Sequence, residues 1–141
     1  MEMQTNTNTM NEIFGEVIYS YTRAQAIEDG NLIDASVTAR EAGWRVPVAL
    51  TRAAWADCVR WDDRDSRRQT YQDEAGRLLD VLWMATIAAR RNCDVQAFRF
   101  QLYRIPRGGK GLRPRLVDLV CRIGPGDNGE PVSTITLPGK D

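Results

Sequence analysis

Near Asn92 the hydrophobic repeat of this chain changes from helical to twofold, and that switch sets the class of fold. From Glu74 to Arg91, Leu78, Leu79, Leu82, Trp83, Thr86 and Ala89 cover one helical face, and Val81, Met84, Ile87 and Ala88 wrap the next. The pattern predicts one long central helix, apolar over most of its girth, with Arg90 and Arg91 complementing its C-terminal dipole. Past Asn92, Phe98, Phe100 and Leu102 alternate with Arg99 and Gln101; Val117, Leu119, Cys121 and Ile123 alternate with Asp118, Val120 and Arg122; Ser133, Ile135 and Leu137 alternate with Thr134 and Thr136. Alternation of this kind belongs to strands with one buried face. A one-sided sheet needs a cover, so the expected fold is α+β: a C-terminal antiparallel meander plus an N-terminal strand, packed against the long helix and shorter ones.

The first half is punctuated more finely. Residues 1–12 are polar, rich in Thr and Asn and without periodicity, and read as a disordered leader to a single domain over 13–141. Glu16 to Tyr21 reads as the N-terminal strand, and Leu32 to Ala35 as a short edge strand. Thr22 and Gln25 have capping-box spacing with Gly30 as the stop; Thr38 and Glu41 repeat that spacing before Gly43. Val46 to Leu50 is extended about Pro47, and Thr51 caps a helix running to about Trp61. Asp62 to Asp73 is so charged and aperiodic that a solvated loop is expected, its acids neutralised by interleaved arginines rather than holding a metal ion.

Several chemistries are excluded outright. The chain has no histidine, which removes the commonest general base and metal ligand. Its three cysteines, Cys58, Cys93 and Cys121, form no CxxC pair, so neither a disulfide framework nor a structural zinc site is indicated. No signal-peptide pattern or membrane span is visible, and a cytoplasmic protein without cofactor is expected.

The candidate binding residues come from charge. The net charge of zero conceals a basic stretch, Arg90, Arg91, Arg99, Arg104, Arg107, Lys110, Arg113, Arg115 and Arg122 against Asp94 and Asp118, while most acids lie in the first half. Within it the loop Arg107 to Arg115 places Gly108, Gly109 and Gly111 among Arg107, Lys110, Arg113 and Arg115, an arrangement suited to anionic groups but lacking the Walker spacing. Arg99, Arg104, Arg107, Lys110, Arg113 and Arg115 are therefore the expected binding face. Trp61, at a helix end beside the charged loop, is the expected accessible aromatic.

Four stretches, Phe14 to Ser36, Pro47 to Trp61, Leu78 to Arg91 and Ile123 to Asp141, together resemble a family of small bacterial proteins of plasmids, phages and integrated elements that carries a domain-of-unknown-function label. The resemblance implies an accessory gene of a mobile element, whose products often antagonise host defences by binding a host protein. Tyr19 to Leu32 also looks like the opening of some ADP-ribosyltransferase-like domains, although that motif's histidine and a Glu-x-Glu are missing.

No set of nucleophile, base and oxyanion donors can be assembled, so the expected function is a non-catalytic binding module acting on a host protein or a protein–nucleic-acid complex, with an inhibitor of a host defence system, of anti-CRISPR or anti-restriction type, as the form the mobile-element context suggests. Two alternatives stand beside it: a nucleotide- or NAD-handling enzyme using a cleft between Tyr19 to Arg23 and the sheet, and direct nucleic-acid binding by the basic sheet region.

Overall fold

The computed structural model describes residues 21–109 and 111–139. The expected leader and the strand begun at Glu16 lie outside them, apart from Tyr21, which is not in a strand. The fold is mixed α+β, with a five-stranded sheet and several helices.

Helix α1 (Arg23–Glu28) is held by the foreseen capping box: Thr22 accepts from the Gln25 amide and Gln25 accepts from the Thr22 amide, while Gly30 (φ +82°) makes the left-handed stop. Its first amides are also tied down from afar, since Asp127 accepts from the N–H of Arg23 (2.8 Å) and of Ala24 (3.0 Å). Strand β1 (Leu32–Asp34) leads into α2 (Ser36–Glu41), which starts two residues before the predicted Thr38 cap. Asp34 explains the early start, because its carboxylate accepts from both the amide and the hydroxyl of Ser36. Strand β2 (Val48–Thr51) runs straight into α3 (Arg52–Cys58), capped by Thr51 as expected but ending three residues short of Trp61.

The charged stretch after Trp61 is not simply a solvated loop; it contains α4 (Asp63–Arg68). Asp62 and Asp65 form a reciprocal capping box, Asp63 and Asp65 sit in the first turn, and Arg67 and Arg68 in the last, so the order of charge follows the helix dipole. Helix α5 (Glu74–Arg91) has the predicted bounds. Strands β3 (Ala97–Arg104), β4 (Arg115–Pro125) and β5 (Pro131–Thr136) make the expected antiparallel meander.

The sheet order is β1-β2-β5-β4-β3, with β2 and β5 parallel and every other neighbouring pair antiparallel. The register puts Ile33, Leu50, Ile135, Cys121 and Phe98 in one row across all five strands. Phe100 beside Leu119, and Leu102 beside Val117, continue the apolar face. Cover for that face is shared: Leu78, Val81, Leu82 and Ala85 of α5, Ala54 and Cys58 of α3 and Ala39 of α2 join the same core. The long helix is thus one of several on the sheet, lying over β3 at one end of it. Among the described residues β3 is an edge strand, and so is β1.

Candidate binding surface

Arg77 organises the region where the basic loop, α4 and α5 meet. It is a guanidinium only 4% exposed. Its Nε donates to the Val59 carbonyl (3.1 Å), and its Nη1 to the Ile105 carbonyl (3.0 Å) and Gln72 Oε1 (2.7 Å). Its carbon lies 4.5 Å from the ring centroid of Trp61. Trp61 is therefore not an accessible aromatic: it is 4% exposed and its indole N–H donates to Ser66 Oγ at 3.1 Å. The helix before it stops early because Arg77 takes the Val59 carbonyl and the chain turns to bury the indole.

The expected basic face is divided by the fold. Arg104 donates through Nε (3.0 Å) and Nη2 (2.7 Å) to Asp57 of α3. Arg107 donates through Nε to Asp65 (2.6 Å) and through Nη2 to Asp62 (3.2 Å). Gln69 anchors the glycine-rich loop, donating to the carbonyls of Pro106 (3.0 Å) and Gly111 (2.8 Å) and accepting from the Gly108 amide (3.2 Å). The charge split along the sequence is thus partly closed on itself. Arg113 and Arg115 lie exposed beyond the loop and Arg99 lies exposed on β3, each without an ion pair among the described residues, while Lys110 lies outside them.

What the fold brings together instead is an apolar groove between α5 and β3. One cavity of about 420 Å³ is lined by Asp80, Trp83, Met84, Gln101, Leu102, Tyr103 and Leu116. A second, about 600 Å³, shares Met84 and Gln101 with it and extends past Ile87 and Phe100 to Arg91 and Arg99. Trp83 is 51% exposed and Tyr103 69%, and Leu79 and Leu116 are exposed beside them. Together these side chains leave apolar surface exposed beside β3. Tyr103 and Leu116 are cross-strand partners, so both sit at the end of the β3–β4 hairpin that carries the basic loop.

A family model covers residues 10–141 of the chain. The chain belongs to DUF6573, a family of unknown function. No curated protein and no solved structure matches it. In this DUF6573 chain two of the three cysteines, Cys58 and Cys121, are buried, while Cys93 is exposed. Burial pushes the Cys58 thiol up to about 12, and burial also raises that of Cys121, which contacts Ser133 Oγ at 3.0 Å. Among the described residues no group of three or more His, Cys, Asp or Glu is placed to hold a metal ion. Of the cleft expected between Tyr19 to Arg23 and the sheet, Tyr19 and Ser20 lie outside the described residues, and Arg23 donates to Thr134 Oγ1 and the Ser133 carbonyl, both at 2.7 Å, tying α1 to β5.

Asp65 gives this chain an acid-sensitive joint. Burial works to raise its carboxyl, but hydrogen bonds from Arg107 and the Asp62 amide, with the Arg107 charge, outweigh it and hold the group below its ordinary 3.8. A depressed carboxylate contributes stability that is present above the unfolded-state value and is lost as pH falls through the folded value. Asp65→Asn is expected to lower the melting temperature at pH 7, and the gap to wild type should close below pH 3.8, the ordinary carboxyl value. Thermal denaturation from pH 7 down to 2 checks this; a gap unchanged across the range would refute the role given to the charge.

Proposed function

We propose that this chain is a non-catalytic docking module that receives an extended, acidic segment of a partner protein along the groove between α5 and the free edge of β3. The observation that carries the proposal is the conjunction of an edge strand eight residues long, unpaired along one side among the described residues, with an exposed apolar flank containing Trp83, Met84 and Tyr103. An open edge offers a row of backbone donors and acceptors to an added strand, and side-chain pockets beside it supply specificity. Tryptophan and tyrosine are enriched among residues that dominate binding energy.

Charge selects the occupant. Arg91 and Arg99 line one cavity of the groove together with Asp118, Asp80 lines the other, and Arg113 and Arg115 are exposed nearby, so four arginines stand against two acids. A second copy of this chain laid against β3 would bring these like charges together, which is unfavourable, whereas an acidic segment would neutralise them. Phe98 and Phe100 face the core, which weighs against a stacking platform for single-stranded nucleic acid. The plasmid, phage and mobile-element setting implied by the family resemblance makes a host protein, such as a component of a defence system, the partner class we propose.

Selection from a random peptide library tests the proposal. Binders should carry alternating apolar residues and flanking Asp or Glu, and should weaken as salt rises. Their binding should disappear with Trp83→Ala. An absence of binders, binders indifferent to Trp83→Ala, or a concentration-dependent dimer abolished by that change would each overturn it.

A further inference from the structure

Where α5 lies over the edge strand, the groove holds one carboxylate that the protein does not use. Asp80, Trp83 and Met84 stand at i, i+3 and i+4, so they share one side of α5. Opposite them Tyr103 and Leu116 pair on neighbouring strands, and these side chains with Gln101 and Leu102 line the 420 Å³ cavity. Asp80 is the one charged residue in that lining. It makes no hydrogen bond or ion pair among the described residues. The nearby cations are committed elsewhere: Arg77 is buried and donates to Val59, Gln72 and Ile105, while Arg104 is paired with Asp57. Desolvation in the groove raises the Asp80 carboxyl above its ordinary 3.8, and the charge of Arg77 offsets this only in part. The carboxylate therefore stands to gain from a further cation.

We propose that this cavity is the subsite for one arginine side chain of the docked segment, its guanidinium paired with Asp80 and its stem laid between Trp83 and Tyr103. The chemistry of the wall selects arginine. One carboxylate among aromatic and aliphatic groups suits a cation that is planar and weakly hydrated, stacks on aromatic faces and makes two parallel hydrogen bonds to an acid. Met84, Leu102 and Leu116 give its aliphatic stem apolar cover. The neighbouring cavity, with Arg91 and Arg99 against Asp118, keeps its preference for acid, so the segment reads as an arginine with an acidic residue beyond it. Assigning the arginine to a docked segment rests on the docking proposal; the affinity of the cavity for a guanidinium does not.

The test uses the whole chain with butylguanidinium and its uncharged isostere butylurea, each followed by the indole N–H resonance of Trp83 and the ring resonances of Tyr103. Butylguanidinium should shift both and bind about fivefold more tightly than butylurea, the margin expected of one partly screened charge pair. Asp80 is exposed, so Asp80→Asn should leave the fold intact and erase that margin. Equal binding of the two compounds to wild type, or a margin that survives Asp80→Asn, overturns the subsite. Butylammonium binding as tightly as butylguanidinium overturns the choice of arginine over lysine. Peptides selected on wild type should carry an arginine at one fixed register, and selection on Asp80→Asn should lose it while still returning binders. Binders lacking that arginine overturn this inference and leave docking in place. An absence of any peptide binder beside intact butylguanidinium binding overturns docking and reassigns the cavity to a free guanidinium ligand.

Discussion

Two neighbours on α5, Leu82 and Trp83, are expected to respond in opposite ways when cut back to alanine. Leu82 is fully buried in the core beneath the sheet, so Leu82→Ala removes transfer energy and leaves a cavity, a loss of roughly 2–5 kcal/mol in folding stability. Trp83, one residue on, is rotated out of that core and half exposed. Trp83→Ala should change stability by no more than about 0.5 kcal/mol, as surface substitutions do. Its cost should appear in binding: losing an aromatic anchor of a docking groove is worth about 2 kcal/mol, or roughly a 30-fold rise in Kd for a library-selected peptide. Urea denaturation and calorimetric titration of both variants check the pair. A Trp83→Ala chain that unfolds as readily as Leu82→Ala would mean that the indole is structural, and the groove would lose its anchor.

The second large effect is expected at Arg77. Arg77→Ala strips acceptors of their donor at Val59 and Ile105, removes the cation from the face of Trp61 and leaves a void where the aliphatic stem packed. Unsatisfied buried carbonyls cost about 1–3 kcal/mol each, and the void adds to them, so a loss of about 3 kcal/mol is expected after allowing for relief of the buried charge. That corresponds to a fall in melting temperature on the order of 10 °C. Arg77→Met keeps the stem and surrenders the charge, and should lose distinctly less. Thermal denaturation of both variants, with tryptophan emission following the Trp61 environment, measures the difference; equal losses would show that packing by the stem contributes nothing separate.

Acid sensitivity belongs to the same corner of the molecule. Asp65 and Asp62 join α4 to the basic loop through Arg107, and Asp57 joins α3 to β3 through Arg104. These contacts pair two of the arginines expected on the basic face within the fold. Arg104 and Arg107 look free in a linear reading because their acids lie more than forty residues earlier. Arg99, Arg113 and Arg115 remain exposed.

Some of the groove was legible beforehand. A helix apolar over most of its girth asks for more cover than one sheet face provides. With α5 lying over an edge strand, Leu79, Trp83 and Met84 are the remainder. The misplacement of Trp61 had a different cause: its burial depends on Arg77 arriving from the next helix, which no local pattern announces. Helix α4 was visible in principle, because acid-first, base-last order and the Asp62–Asp65 spacing are both local signals; counting its charges as evidence of solvation hid them.

By itself the sequence determined the elements whose causes are local: the Thr22 and Thr51 caps, the glycine stop at Gly30, the bounds of α5 and the alternating faces of β3. Those depend on backbone amides and side-chain periods within a few residues of one another. Only the tertiary structure decided that β2 lies parallel to β5, which arginines are neutralised, and which side of the long helix faces solvent. Each of these joins residues far apart in the chain, where many pairings satisfy the same local pattern and the choice falls to whichever packing buries the most apolar surface while leaving the fewest charges unpaired.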